Sequence, residues 1–311
     1  MKQKSCLIIF LTVFVVFSCS DSYIAQELLA EESFSFEGIQ ALDVRTGFCN
    51  IELYDTSGET LHMDGEIKGN SNPDKWDIEY SKDGDKVSVW IENPKSVWGN
   101  IQGLLKFKVP AGTLVTINNS SGNVLADGLQ AEDLYVKCSS GNIKTIKTKA
   151  NFEIIASSGN ITVEGHRGDM KASASSGNLK VSDVNGNLIV KASSGNITLR
   201  EIIGHLKAKC LSGNISMSQV MGVLSAECSS GNIKGKSVTL KGDSDFRTTS
   251  GNIDIELENG QSELSFDLDA GSGNLYAGGN RGEDRLYMKE GEVWIKGISS
   301  SGNQKYLTHS N

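Results

Sequence analysis

The sequence predicts an all-β chain built as a single-stranded right-handed parallel β-helix, with a left-handed β-helix as the alternative. Three observations predict it. The tripeptide Ser-Gly-Asn recurs ten times, its glycines at 122, 141, 159, 177, 195, 213, 231, 251, 273 and 302. Their spacing is close to 18 residues, too short for a domain and right for one coil of a solenoid. Between the tripeptides, apolar residues alternate with polar ones, the period of a strand with one buried face.

Aligned on the glycine, with asparagine as position 1, the coil reads as two strands and two corners. Position 11 is large and apolar (Phe152, Met170, Leu188, Leu206, Leu224), and position 13 holds Ile154, Ala172, Val190, Ala208 and Ala226. Position 15 is small: Ala156, Ala174, Ala192, Cys210 and Cys228. Positions 2 and 4 form a shorter second strand, as in Ile161 with Val163 and Leu179 with Val181. Glycine near position 9 and Ser-Gly-Asn at positions 17, 18 and 1 supply the corners. Extending the phase of positions 11, 13 and 15 places position 17 inside. This predicts an internal serine ladder of Ser121, Ser140, Ser158, Ser176, Ser194, Ser212, Ser230 and Ser250. The asparagines Asn123, Asn142, Asn160, Asn178, Asn196, Asn214, Asn232 and Asn252 are expected to stack likewise, passing amide hydrogen bonds from coil to coil.

The chain divides into a signal peptide (1–18), a lipidated Cys19 with a tether (19–33), an irregular β-rich cap region (34–110), the repeat solenoid with its C-terminal cap (111–303) and a tail (304–311). Lys2 and Lys4 precede an apolar run from Cys6 to Phe17, the length of a secretory h-region and too short to span a bilayer. Val16-Phe17-Ser18-Cys19 then reads as a lipoprotein cleavage site, which places the mature chain on the outer membrane or cell surface. In the cap region, strands are expected at Ala41–Arg45, Asn50–Tyr54, Leu61–Ile67, Trp76–Tyr80, Lys86–Glu92 and Leu104–Val109. Thr46-Gly47-Phe48-Cys49-Asn50-Ile51 resembles a degraded corner, and Trp76, Trp90 and Trp98 are expected to bury within the cap, with sugar stacking by exposed rings as the alternative. Gly260–Gly297 breaks the rhythm and reads as a hairpin or loop over the open end of the solenoid.

The net charge of −8 argues against nucleic acid as a partner, and no basic cluster interleaved with aromatics offsets it. Membrane contact is expected through the lipid anchor only. Cys49, Cys138, Cys210 and Cys228 lack metal-ligand spacing, and the last three fall in the small-residue column as buried hydrophobes. His62, His166, His205 and His309 share no column, and His166 and His205 fall at or beside the position-9 corner, where a solvated turn residue is expected. No nucleophile elbow, P-loop, zinc-protease helix or dinucleotide fingerprint is present, and neither metal nor cofactor is expected. Asp243 with Asp245 and Asp267 with Asp269 are i,i+2 pairs that could share one face of a strand as an acid/base or calcium site, with outward decoration of the strand as their ordinary reading.

The lipoprotein-type N-terminus, the run Leu105-Lys106-Phe107-Lys108-Val109-Pro110-Ala111-Gly112-Thr113-Leu114-Val115-Thr116-Ile117 and the repeated Ser-Ser-Gly-Asn-Ile resemble the putative-adhesin family of bacterial β-strand-repeat lipoproteins. The family is similar in appearance to head GIN domain proteins. The resemblance covers about residues 34–303 and implies a β-helix on the cell envelope, with no catalytic residues to carry over. The last interval of 29 residues and Gln304, where other coils have Ile or Leu, depart from it. The reading that follows is a non-enzymatic surface solenoid that binds a glycan, a matrix protein or another envelope protein. A periplasm-facing structural or sensor-partner protein and a carbohydrate-active β-helix enzyme are the alternatives.

Overall fold

The computed structural model describes residues 26–70, 76–92 and 100–309. Strand dominates, because nearly every segment carries the two-residue apolar period and glycine corners interrupt it at short intervals. The first seven strands are β1 (Glu27–Glu37), β2 (Ala41–Thr46), β3 (Asn50–Thr56), β4 (Thr60–Gly69), β5 (Asp77–Asp83), β6 (Lys86–Glu92) and β7 (Ile101–Pro110). The repeats follow as β8 (Leu114–Asn119), β9 (Val124–Asp127), β10 (Gln130–Cys138) and β11 (Ile143–Ala156). Each later coil contributes two strands. These are β12 (Ile161–Arg167) with β13 (Met170–Ala174), β14 (Leu179–Asn185) with β15 (Leu188–Ser194), β16 (Ile197–Ile203) with β17 (Leu206–Ser212), β18 (Ile215–Gly222) with β19 (Leu224–Ser230), and β20 (Ile233–Leu240) with β21 (Ser244–Ser250).

Parallel register runs through equivalent positions of successive coils. Leu134 pairs with Phe152, Phe152 with Met170, Met170 with Leu188, Leu188 with Leu206 and Leu206 with Leu224, and every one of these is buried. The core is therefore a column of stacked layers, each contributing the same few inward side chains.

The second strand of each coil is longer than positions 2 and 4 alone predict. It runs to position 8 and bends at position 6, where Lys147, Asp183, Glu201, Gln219 and Ser237 all have φ between 49° and 55°. Left-handed backbone at non-glycine residues is costly, and it is repeated here because the bend turns position 7 inward. Thr148, His166, Val184, Ile202, Val220 and Val238 form this additional buried column.

Both ends of the stack depart from chain order. After β3 the chain leaves through β4 and β5, and β6 and β7 return to lie on the outer side of β2 and β3. The strands β8 and β9 then take the inner side. Beyond these, β4 pairs antiparallel with both β7 and β1, and β5 with β6. The segment read as a tether to residue 33 is thus partly strand, because β1 begins at Glu27 and buries Leu29 and Phe34 against β4.

The C-terminal end mirrors this arrangement. The strand β22 (Ile253–Gly260) leads through a single 3-10 turn into β23 (Leu264–Ala270), β24 (Leu275–Ala277), β25 (Asn280–Gly282) and β26 (Arg285–Met288). The chain then inserts β27 (Val293–Ser301) between β21 and β23, and β28 (Gln304–His309) between β22 and β24. The segment expected to be a tail is therefore an interior strand. Tyr306 is fully buried between the rings of Phe246 and Phe266, 5.9 Å from each. Gln304 departs from the apolar pattern because its Nε2 donates to the Asp269 carbonyl (2.7 Å) and to Ser299 Oγ (3.0 Å).

The cap strands lie close to their expected positions. Trp76 is buried edge-on to Phe48 (5.4 Å) and Trp90 is half-buried, while Trp98 and Cys19 lie outside the described residues.

Candidate functional site

The Ser-Gly-Asn corner is the most regular surface feature of the molecule. Along it, each asparagine backbone N–H donates to the Oδ1 of the asparagine in the adjoining layer. The succession runs Asn50, Asn123, Asn142, Asn160, Asn178, Asn196, Asn214, Asn232, Asn252, Asn303 and Asn274, at 2.8–3.0 Å. Asn303 precedes Asn274 in space, so the ladder records the interleaved C-terminal end. Asn50 at its head identifies Cys49-Asn50 as a true corner. The Cys49 side chain fits where other corners carry glycine because it projects toward Gly103, which has no Cβ to oppose it.

The serines are placed differently from the expectation. Ser121, Ser140, Ser158, Ser176, Ser194, Ser212, Ser230 and Ser250 are exposed, so they form an outward column and not an internal ladder. The alternation of positions 11, 13 and 15 stops at the corner, where positions 16 and 17 both face solvent. Glycine takes the inner place, its Cα lying directly over the carbonyl of the corner glycine one layer away. A Cβ on Gly177 would overlap the Gly159 carbonyl oxygen, and one on Gly195 the Gly177 oxygen. Gly213, Gly231, Gly251, Gly273 and Gly302 also have φ between 138° and 152°, which side chains rarely adopt.

The small column behind this corner has a polar use as well as a packing one. The Sγ of Cys138, Cys210 and Cys228 donates to the carbonyls of Gly122, Gly195 and Gly213 at 3.0–3.3 Å. Thr248 and Ser299 instead donate from Oγ1 and Oγ to the carbonyls of their own corner glycines, Gly251 and Gly302, at 3.0 Å. Cys49, Cys138, Cys210 and Cys228 are buried free thiols, and desolvation pushes the Cys49 and Cys228 thiols up to about 12.

A second ladder, absent from the sequence reading, lies at position 10. Asn187 N donates to Asp169 Oδ1 (2.9 Å) and His205 N to Asn187 Oδ1 (3.3 Å), while Asn151 Nδ2 reaches Asp133 (3.0 Å). The Asn187 backbone N–H holds the Asp169 carboxyl below its usual range. His205 is exposed at this corner, as expected. His166 is not a solvated turn residue. It occupies the inward position 7, fully buried, with Nδ1 3.0 Å from Thr148 Oγ1, and burial lowers its pKa to about 4.

The two carboxylate pairs lie on one outward face near the C-terminal end. Asp267 accepts from Arg285 (3.1 Å), Asp245 from Ser225 Oγ (3.0 Å), and Asp243 from the Trp294 backbone N–H (2.9 Å). Trp294 and the exposed Tyr287 stand 5.6 Å apart on the same end. Both aromatics lie outside the repeat rhythm, so the sequence pattern does not mark them. A concavity of about 890 Å³ opens between β24, β25 and β28, lined by Asn274, Tyr276, Arg281 and Lys305 among others. Among the described residues no group of three or more His, Cys, Asp or Glu is placed to hold a metal ion. No described helix is long and apolar enough to cross a membrane.

Three solved structures are similar to this chain. One from Clostridium sporogenes ATCC 15579, described as a "putative cell adhesion protein", is 14% identical, with 92% of this chain and 100% of that one covered and a TM-score of 0.23. One from Parabacteroides distasonis ATCC 8503, a "putative lipid binding protein", is 14% identical, with 88% and 96% covered and a TM-score of 0.38. One from Bacteroides fragilis NCTC 9343, a "putative adhesin", is 13% identical, with 90% and 97% covered and a TM-score of 0.30. No curated protein matches the sequence. The family model Toastrack DUF4097 matches residues 39–219 and, in a second overlapping register, residues 147–305. Together the two matches span the stacked layers from the first corner to the last strand, and the chain belongs to the Toastrack DUF4097 family.

Proposed function

We propose that the chain is a non-enzymatic, lipid-anchored envelope protein that projects a rigid β-solenoid from the membrane and binds a partner through an outward face. The observation that carries this reading is the polarity of the stack. The strand β1 is the outermost strand at one end, eight residues after Cys19, while β23 to β26 close the opposite end. An anchor at Cys19 then leaves the C-terminal layers farthest from the bilayer. Twelve strands stand in line from β6 to β23, a height of about 50 Å at the usual ~4.8 Å spacing. The same arrangement supports a binding role over a catalytic one, because the candidate carboxylates sit on an open face and are held by Arg285, Ser225 and the Trp294 N–H.

Protease treatment of intact cells tests the reading. Degradation of the mature chain without lysis is the expected result. Protection in intact cells, lost on permeabilisation, would place the solenoid inside and refute surface display. Labelling with a fatty-acid analogue, lost in Cys19→Ser, tests the anchor separately.

A further inference from the structure

The net charge of −8 conceals a segregation that the stacking makes physical. Between Cys138 and Ser250 the chain carries 14 lysines and arginines against 8 aspartates and glutamates, so the repeat body is basic and the acidic excess lies at the two ends. Register then sorts these charges into columns. On one side of the Ser-Gly-Asn corner the outward column reads Lys144, Thr162, Lys180, Thr198, Ser216, Lys234. On the other side it reads Lys137, Ile155, Ser173, Lys191, Lys209, Glu227, Arg247. Between them run the exposed serines and asparagines, with no charge at all. Glu227 is the one carboxylate in these columns over that span, and Lys209 neutralises it at 2.9 Å. Lys137, Lys180, Lys191 and Lys234 make no ion pair among the described residues and are exposed.

The corner is thus a ridge of hydroxyls and amides flanked by two columns whose charges are mostly cationic, with Lys144 3.7 Å from Glu164 and Arg247 3.7 Å from Asp245, on a protein that is acidic elsewhere. Lys144 and Lys180 are two layers apart, about 10 Å, and Lys180 and Lys234 three layers, about 14 Å. A short anion would meet one lysine. A linear chain that carries anions at intervals and hydroxyls between them would meet all of them along the axis. We propose that this ridge binds a linear acidic polysaccharide, its carboxylate or sulfate groups on the lysine rows and its hydroxyls on the serine and asparagine columns. The inference deepens the binding role proposed above and rests on it for its biological setting. It also explains why serine recurs at position 17, where no hydrogen bond of its side chain is present among the described residues and the fold does not demand it.

The test uses the purified mature chain with polygalacturonate and chondroitin sulfate as probes, dextran as the neutral control and a DNA duplex as the non-saccharide polyanion. Binding to the acidic polysaccharides is expected to weaken steadily as salt rises, because screening acts on exposed charges. The variant K144Q/K180Q/K234Q is expected to bind at least tenfold more weakly. K82Q/K86Q/K108Q, which removes three cations from the cap region, is expected to change affinity less than twofold. S158A/S176A/S194A is expected to weaken binding severalfold with an unchanged melting temperature, a split that a structural role for the serines would not produce. Absence of binding, equal binding to dextran, or an unaffected lysine variant overturns the proposal. DNA binding as tight as polygalacturonate overturns the saccharide assignment and leaves a general polyanion surface. These results are obtained in solution, so they fail independently of where protease shaving places the protein.

Discussion

Replacing one corner glycine tests the packing argument most directly, and Gly177→Ala in the middle of the stack is the informative change. The added Cβ would lie 2.6 Å from the Gly159 carbonyl carbon and overlap its oxygen. Ordinary contact between such atoms is about 3.5–4.0 Å, so two layers must separate locally by about 1 Å. No rotamer relieves this, since both atoms belong to backbone or to Cβ itself. Separation stretches the two inter-layer hydrogen bonds that flank the corner, Asn178 N to Asn160 Oδ1 and Ser176 N to the Ser157 carbonyl, both 2.9 Å. Overpacking of this kind costs about 1–3 kcal/mol, and each weakened hydrogen bond about 0.5–1.5 kcal/mol. The expected destabilisation is about 2–6 kcal/mol, a fall in Tm of roughly 3–12 °C for a chain of this size. Thermal and urea unfolding measure it, and hydrogen exchange over residues 155–180 shows whether the loss is centred on the corner. Ser176→Ala, on the adjacent exposed residue, is expected to stay within about 0.5 kcal/mol. A neutral glycine variant, or a serine variant as damaging as the glycine one, would refute the outward assignment of position 17.

Three further outcomes follow from the same geometry. Asn160→Ala removes the acceptor of Asn178 N–H on an exposed ladder where water can substitute, and is expected to cost about 0.5–1.5 kcal/mol by urea unfolding. His166 has a folded pKa of about 4, below its ordinary value of 6.5, so the unfolded chain binds the proton more tightly. Its contribution is fully present above pH 6.5 and is lost as pH falls through 4, about 3 kcal/mol over that window. His166→Leu is expected to flatten the pH dependence of Tm there, and an unchanged slope would refute burial of a neutral imidazole. Gln304→Leu restores the apolar residue of the repeat and is nonetheless expected to destabilise by about 1–3 kcal/mol, because the part-buried Asp269 carbonyl and the buried Ser299 Oγ lose their partner. A stabilised variant would show that the hydrogen bonds of Gln304 are dispensable.

The coil length, the identity of both corners and the inward columns at positions 2, 4, 11, 13 and 15 are legible in the chain alone, because these are local patterns repeated many times. It also carried the asparagine stacking, since one residue type at one corner in every layer has the same neighbour above and below. Tertiary structure decided the rest. The phase of a strand does not continue through a corner, so Ser176 faces out and Gly177 faces in, against the alternation that precedes them. The left-handed bend at position 6 turns His166 inward, and only the backbone dihedral distinguishes it from the exposed His205. The lysines of the ridge are 36 and 54 residues apart in the chain, and stacking alone brings them into one row. The order of the layers is the clearest case. Which strand lies beside β21 depends on pairing between residues some 50 positions apart, as Ser250 with Ser301, and a sequence period is the same whether the last coil is added at the end or slipped between two others. Inserting β27 and β28 there leaves both strands paired on either side, beneath a final layer closed by a hairpin.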